Sequence, residues 1–258
     1  MPKYKSSEPN FFNPKDYDWA EDIIAHSSEI KKDLLKILEE RNGSLIPYYS
    51  KAVVSEDPEW TTLAFKTWGI EVKENINKSD IIRKIIDKYP FMVSASMNLL
   101  KAGAKLEKHQ GDTNAIFRCH LGISVEANLP ELGFEVENEK RSWEEGNLLI
   151  FTDAKEHSAW NKSETDRLIF LFDIIREPYR ISQKKICRKF KFFIRVIGDF
   201  SQEEYNHISR DQINYKIINN LFLKYKNNKK FYFIKYENLA NAPKYEMQKL
   251  AKFLGVKY

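Results

Sequence analysis

From residue 91 to about 175 the sequence breaks into short apolar or alternating runs separated by Gly, Asn, Asp and Pro. A period of two sends successive side chains to opposite faces of a strand, so this texture predicts consecutive strands and turns, about seven of them. FMVSASMNLL precedes a turn at Ala102-Gly103, and IFRCHLGISV precedes a loop at 128–133. NLLIFTD is set up by the turn Trp143-Glu144-Glu145-Gly146, and DRLIFLFDII closes the series. Short strands at this spacing, with helices supplied earlier in the chain, argue for a mainly β fold with flanking helices, closed or double-sheeted, such as a jelly roll.

The helices lie upstream. Trp19, Ile23, Ile30, Leu34, Leu35 and Ile37 recur near the helical period, which predicts one amphipathic helix over 16–40 with Asp16 or Asp18 as its cap. Lys78-Ser79-Asp80 opens a second helix through Ile81, Ile82, Ile85 and Ile86 that stops near Pro90. At 258 residues and 42% hydrophobic the chain buries a substantial core in one large or two small domains. Two cysteines, Cys119 and Cys187, offer no disulfide framework and suit a reducing compartment. With no run of 18 apolar residues and no apolar stretch near Met1, the expectation is a cytoplasmic protein.

Charge divides the chain. Residues 181–258 hold 17 Lys and Arg against 6 Asp and Glu, a net of +11, which leaves −6 for residues 1–180. The expected organisation is a domain over 1–180, with a helical lead-in over 1–90 and a jelly-roll core over 91–180. A small basic α/β appendage follows over 181–258, with helical patterns at 202–226 and 244–254 around one strand, KFYFIKYENL.

Three of the five histidines, His109, His120 and His157, fall in the β segment, where strands distant in sequence converge on one point and imidazoles bind iron, zinc or copper. Arg118 and His120 share one strand face while Cys119 takes the other. Arg167, Ile169, Leu171 and Asp173 oppose Leu168, Phe170, Phe172 and Ile174, so Arg167 sits at the start of a strand expected to be otherwise buried. A buried guanidinium needs an anion, either a rim carboxylate of the protein or a carboxylate-bearing ligand held by both arms of the fork.

Gly103, His109-x-Gly111, Asn114, Arg118-x-His120-Leu-Gly, Trp143-x-x-Gly146, Asp153, Glu156-His157-x-x-Trp160-Asn161 and Arg167 occur in this order. In that pattern the chain resembles the aspartyl/asparaginyl β-hydroxylases, a branch of the iron(II)- and 2-oxoglutarate-dependent oxygenases, over roughly residues 11–178. The resemblance implies that the β core is a double-stranded β-helix, a jelly roll of the cupin type, in which His109 and His157, 48 residues apart, hold Fe(II). It implies that Arg167 binds the distal carboxylate of 2-oxoglutarate, with Asn98 where the family often has a serine touching that group. Arg118 and His120 would hold the carboxylate beside the keto group.

Where many relatives of the wider superfamily carry a carboxylate two residues after the first histidine, this chain has Gly111; Asp112 is one residue late and reaches inward only through a bulge. Trp160 and Asn161 are expected to fix the metal-bearing loop. The Trp143–Gly146 turn is expected to be structural, and Trp19, Trp68 and Cys119 to be core residues.

The implied reaction consumes O2 and 2-oxoglutarate, gives succinate and CO2, and hydroxylates a substrate carbon, by the family's name the β-carbon of an aspartyl or asparaginyl residue in a peptide or protein. A free amino acid or a lipid acyl chain is the alternative substrate, and a jelly-roll binding module without turnover is the alternative function. The final stretch, FYFIKYENLANAPKYEMQKLAKFLGV, is similar to the closing segment of sulfotransferases, without a phosphate-cradling loop in the chain. The basic appendage is expected to meet an acidic or polyanionic partner.

Overall fold

The computed structural model describes residues 6–43, 45–47, 60–111 and 113–188. The chain divides into two compact units, residues 1–192 and 193–258. The expected helices and strand of the basic appendage, beyond residue 188, lie outside the described residues.

Strand β1 (Phe11–Phe12) leads into helices α1 (Asp18–Ala25) and α2 (Ser27–Glu40), then β2 (Ile46–Pro47), β3 (Trp60–Thr67) and β4 (Ile70–Glu71). Helices α3 (Lys73–Ile76) and α4 (Asp80–Lys88) follow. The β core then runs through β5 (Met92–Leu100), β6 (Lys105–His109), β7 (Ile116–Ser124), β8 (Leu132–Val136), β9 (Glu139–Arg141), β10 (Leu148–Thr152), β11 (His157–Asn161) and β12 (Arg167–Ile175). Eight strands stand where about seven were expected, because the short β9 closes a hairpin with β8.

Two antiparallel sheets result. The larger has the order β1-β10-β7-β12-β5-β3-β2 with β4 beside β3, and the smaller the order β6-β11-β8-β9. Leu100, Phe151, Ile169 and Leu171 of the large sheet bury against Leu106, Phe134, Val136 and Ala159 of the small one. The outer face of the large sheet presents Leu168, Phe170, Phe172 and Cys119 to α1, α2 and α4, which contribute Trp19, Ile23, Ile30, Leu34, Ile82 and Ile85. The two faces of β12 therefore alternate as its period of two requires. This is a jelly-roll sandwich with helices packed on one side.

The continuous helix expected over 16–40 divides at His26, whose backbone (φ −96°, ψ 7°) leaves the helical region. Its Nδ1 donates to the Asp22 carbonyl at 2.8 Å. Ser27 and Ser28 follow, residues that favour helix ends over interiors. Neither Asp16 nor Asp18 caps α1; its N-cap is Tyr17, with no side-chain bond. Asn13 instead accepts from the Lys15 N–H and opens a short 3-10 turn ahead of the helix. The second expectation holds: Ser79 Oγ accepts from the Ile82 N–H and starts α4. Among the described residues no helix is long and apolar enough to cross a membrane.

Candidate active site

His109 ends β6 and His157 begins β11, and the two are register partners across that antiparallel pair. Their rings lie 4.2 Å apart, centroid to centroid. Each Nδ1–H donates at 2.7 Å to a carbonyl two residues back in its own chain, Glu107 for His109 and Lys155 for His157. That bond fixes the tautomer and leaves each Nε2 with its lone pair. Burial holds both imidazoles below their usual pKa, and the neighbouring His109 presses His157 down further. Two neutral nitrogen donors side by side are what a borderline metal ion requires.

Both histidines line a cleft between the sheets, together with His120, Arg167, Arg118, Trp143, Phe134 and Trp60. Arg167 is buried, and desolvation pushes its pKa down to about 9. Its Nε has no hydrogen-bond partner, and no carboxylate among the described residues pairs with it. The guanidinium lies over the Trp143 ring, 4.4 Å from its centroid. Arginine keeps its charge even so, and an unpaired buried cation facing a cleft is an incomplete arrangement that an anion completes.

His120, on β7, is buried and held well below its usual pKa by desolvation, then by the fields of Arg167 and Arg118. Its Nδ1 accepts from Trp143 Nε1–H at 3.2 Å, so the proton resides on Nε2, which is buried without a partner. The site thus holds a second unspent donor. Trp143, expected to serve only its turn, orients His120 and supports Arg167. The sequence signal was present in its spacing to Gly146, but nothing in that spacing showed which way the indole faces.

Arg118 is already engaged. Its Nε and Nη2 donate to Asp173 at 2.9 and 3.2 Å, and its Nη1 lies 2.5 Å from Asp153 Oδ1. Asp153 in turn stands 3.8 Å from His157 Nε2. Gly111 explains how this carboxylate fits: a Cβ at that position would lie 1.6 Å from Asp153 Oδ2. The Gly111 N–H also donates to the Asp153 carbonyl at 2.8 Å. The Asp153 carboxylate, carried by the β10–β11 turn, thus fills the space beside Gly111, a placement that residue spacing could not reveal. No group of three metal ligands is assembled among the described residues, and Asp112 lies outside them.

Asn98 is buried on β5 opposite Ile169, but it stands outside the cleft lining, its amide donating to Ser96 Oγ at 2.7 Å. Asn161 fixes the turn into β12: its amide donates to the carbonyls of Leu100 and Thr165, and Ser163 donates to its oxygen. Trp160 donates to the Pro130 carbonyl on the opposite face of β11.

The sequence profile described as aspartyl/asparaginyl beta-hydroxylase matches residues 25–177, more than half of the chain. The chain belongs to the aspartyl/asparaginyl β-hydroxylase family. A sulfotransferase domain profile matches residues 218–258. Among β-hydroxylase relatives, an ornithine lipid ester-linked acyl 2-hydroxylase of Rhizobium tropici is 28% identical over 177 residues, 67% of this chain and 62% of the relative. The human aspartyl/asparaginyl beta-hydroxylase is 26% identical over 152 residues, 56% of this chain and 19% of the relative. The chain therefore spans less than two thirds of either. A Pseudomonas putida prolyl-4-hydroxylase structure is 14% identical with a TM-score of 0.37, covering 58% of this chain and 88% of that one.

Proposed function

We propose that this chain is an iron(II)- and 2-oxoglutarate-dependent dioxygenase that hydroxylates a substrate carbon. One observation carries the reading: a pair of neutral imidazoles with free Nε2 lone pairs shares a cleft with a buried, unpaired guanidinium. The residues fit both groups. His109 and His157 would hold the metal with Asp153 adjoining, and Arg167 would take the distal carboxylate of 2-oxoglutarate with both arms of its fork. The Nε2–H of His120 is a neutral donor for the carboxylate beside the keto group. Arg118 already serves Asp173 and Asp153, and its share in binding the cosubstrate is to hold those carboxylates in place.

Bound together, iron(II), 2-oxoglutarate and O2 supply oxidative decarboxylation to succinate and CO2, with the second oxygen atom inserted into a C–H bond. The protein's part is to orient these groups and exclude water, for which Phe134, Phe151 and Trp143 wall the imidazoles of His120 and His157.

The substrate reading is the β-carbon of an aspartyl or asparaginyl residue in a peptide. A second reading, a lipid acyl chain, is favoured by the relative from Rhizobium tropici, which matches more of this chain than the human protein does. Anaerobic titration with iron(II) and 2-oxoglutarate should develop a weak visible charge-transfer band, absent in His109→Ala. Succinate formation with Asp- and Asn-containing peptides against acyl lipids then separates the substrates. No band in the folded, iron-exposed wild type would sink the reading.

A further inference from the structure

Lys155 lies two residues before His157 in the turn between β10 and β11, and it is 2% exposed. Lysine is seldom buried so completely without a carboxylate partner. Its ammonium donates at 2.7 Å to the Glu8 carbonyl and at 2.8 Å to Asn10 Oδ1, both in the segment that precedes β1. That segment is fastened at the β10 edge of the large sheet. Phe11 and Phe12 pair with Phe151 and Ile150 of β10, and the Glu8 carboxylate is ion-paired with Arg176 just beyond β12.

The same residue faces the histidine through its backbone, since the Lys155 carbonyl receives the His157 Nδ1–H. Its N–H bonds the Thr152 carbonyl at 3.0 Å, and the neighbouring Asp153 carbonyl accepts from Gly111. These bonds tie the turn to the strands. The ammonium ties it to the N-terminal strap, a segment remote in sequence and outside the cleft lining.

We propose that Lys155 is a positioning residue for His157: by docking the strap, it sets the carbonyl that aims the imidazole, and so sets metal affinity. The inference rests on the reading of His109 and His157 as a metal pair. Burial of an ammonium in this turn is then accounted for, because a rigid carbonyl fixes the ring orientation that the metal needs. A group that orients a ligand in this way typically contributes roughly 10- to 100-fold in affinity.

The test uses cobalt(II), a spectroscopic stand-in for iron(II), titrated into the full-length chain in wild type, Lys155→Met and Asn10→Ala. Methionine keeps the apolar stem and removes the ammonium. Asn10, half-buried, is an acceptor whose loss leaves the core untouched. The expected result is a dissociation constant weakened at least tenfold in Lys155→Met and severalfold in Asn10→Ala. Both should show a shifted cobalt absorption spectrum while far-UV circular dichroism remains that of the wild type.

A role confined to fastening the strap would lower the melting temperature and leave affinity and spectrum unchanged. That outcome, with wild-type binding intact, overturns this proposal alone. Absence of cobalt binding in wild type overturns the metal pair along with it. Should Lys155→Met not fold, Asn10→Ala decides: affinity within twofold of wild type with an unshifted spectrum overturns the proposal.

Discussion

Arg167 is held in a state that favours ligand over fold. A buried cation without a counter-charge destabilises the ligand-free protein, and replacing such a group by an apolar one of similar length is often neutral or stabilising. Arg167→Met is therefore expected to melt at or above the wild-type temperature without ligand while losing at least tenfold in affinity for 2-oxoglutarate, as calorimetric titration would show. A melting temperature well below wild type would mean that the guanidinium has a structural partner.

His109, His120 and His157 invite a pH experiment. All three are depressed below the ordinary histidine value of 6.5 by burial, so the unfolded chain binds protons that the folded one refuses. Stability is complete above about pH 6.5 and falls below it, by up to about 1.4 kcal/mol per pH unit for each group. Carboxylates titrate lower, so the loss between pH 6.5 and 5 belongs largely to these rings. Denaturant melts of the metal-free protein across that window check it, and a flat profile would contradict their burial as neutral groups.

Gly111 supplies a third residue-scale test. A methyl at this position collides with the Asp153 carboxylate, whose displacement strips a partner from Arg118 and a neighbour from His157. Gly111→Ala should destabilise by about 1–3 kcal/mol. It should also weaken metal binding, which the cobalt titration measures directly.

Among the elements, α4 depends on one hydroxyl with two bonds. Ser79 Oγ caps the helix and donates to Asp33 of α2 at 2.7 Å, so it joins the two helices that cover the large sheet. Ser79→Ala is expected to destabilise by about 2 kcal/mol, read as a shift of the chemical denaturation midpoint with unchanged slope. This element was legible in the sequence because its cap, its four isoleucines and Pro90 agree.

The β12 and β7 faces were legible for a similar reason, since alternation alone puts Arg167 with Ile169 and Arg118 with His120. The break at His26 was not. Hydrophobic spacing runs through it undisturbed, and the interruption comes from a side-chain bond to the backbone and a serine pair that periodicity does not register. Asp153 and Trp143 escaped in the same way, since their roles depend on how turns fold back across strands far apart in the chain.

At the scale of the whole molecule, the two-sheet sandwich and its family were readable because many motifs recur in one order, whereas the contribution of the N-terminal segment to the β10–β11 turn came only from three dimensions. The charge division belongs to this scale as well. We propose that residues 181–258, at +11, engage an acidic or polyanionic partner. The full chain should bind a heparin resin at low salt and elute as ionic strength rises, the mark of contacts screened by counterions. Failure to bind at low salt would leave the basic segment as a solvated surface.

The pairing of β6 with β11 has one more consequence. Each imidazole is aimed by a bond within its own chain, and the two meet only through a single register pair. Side chains in a strand alternate, so a slip of one residue would turn one ring out toward solvent while every residue of the motif stayed in the chain. The His109–His157 pair is thus assembled at the moment these two edges align, and on the metal reading proposed above a misregistered molecule would lose its metal site despite an intact sequence.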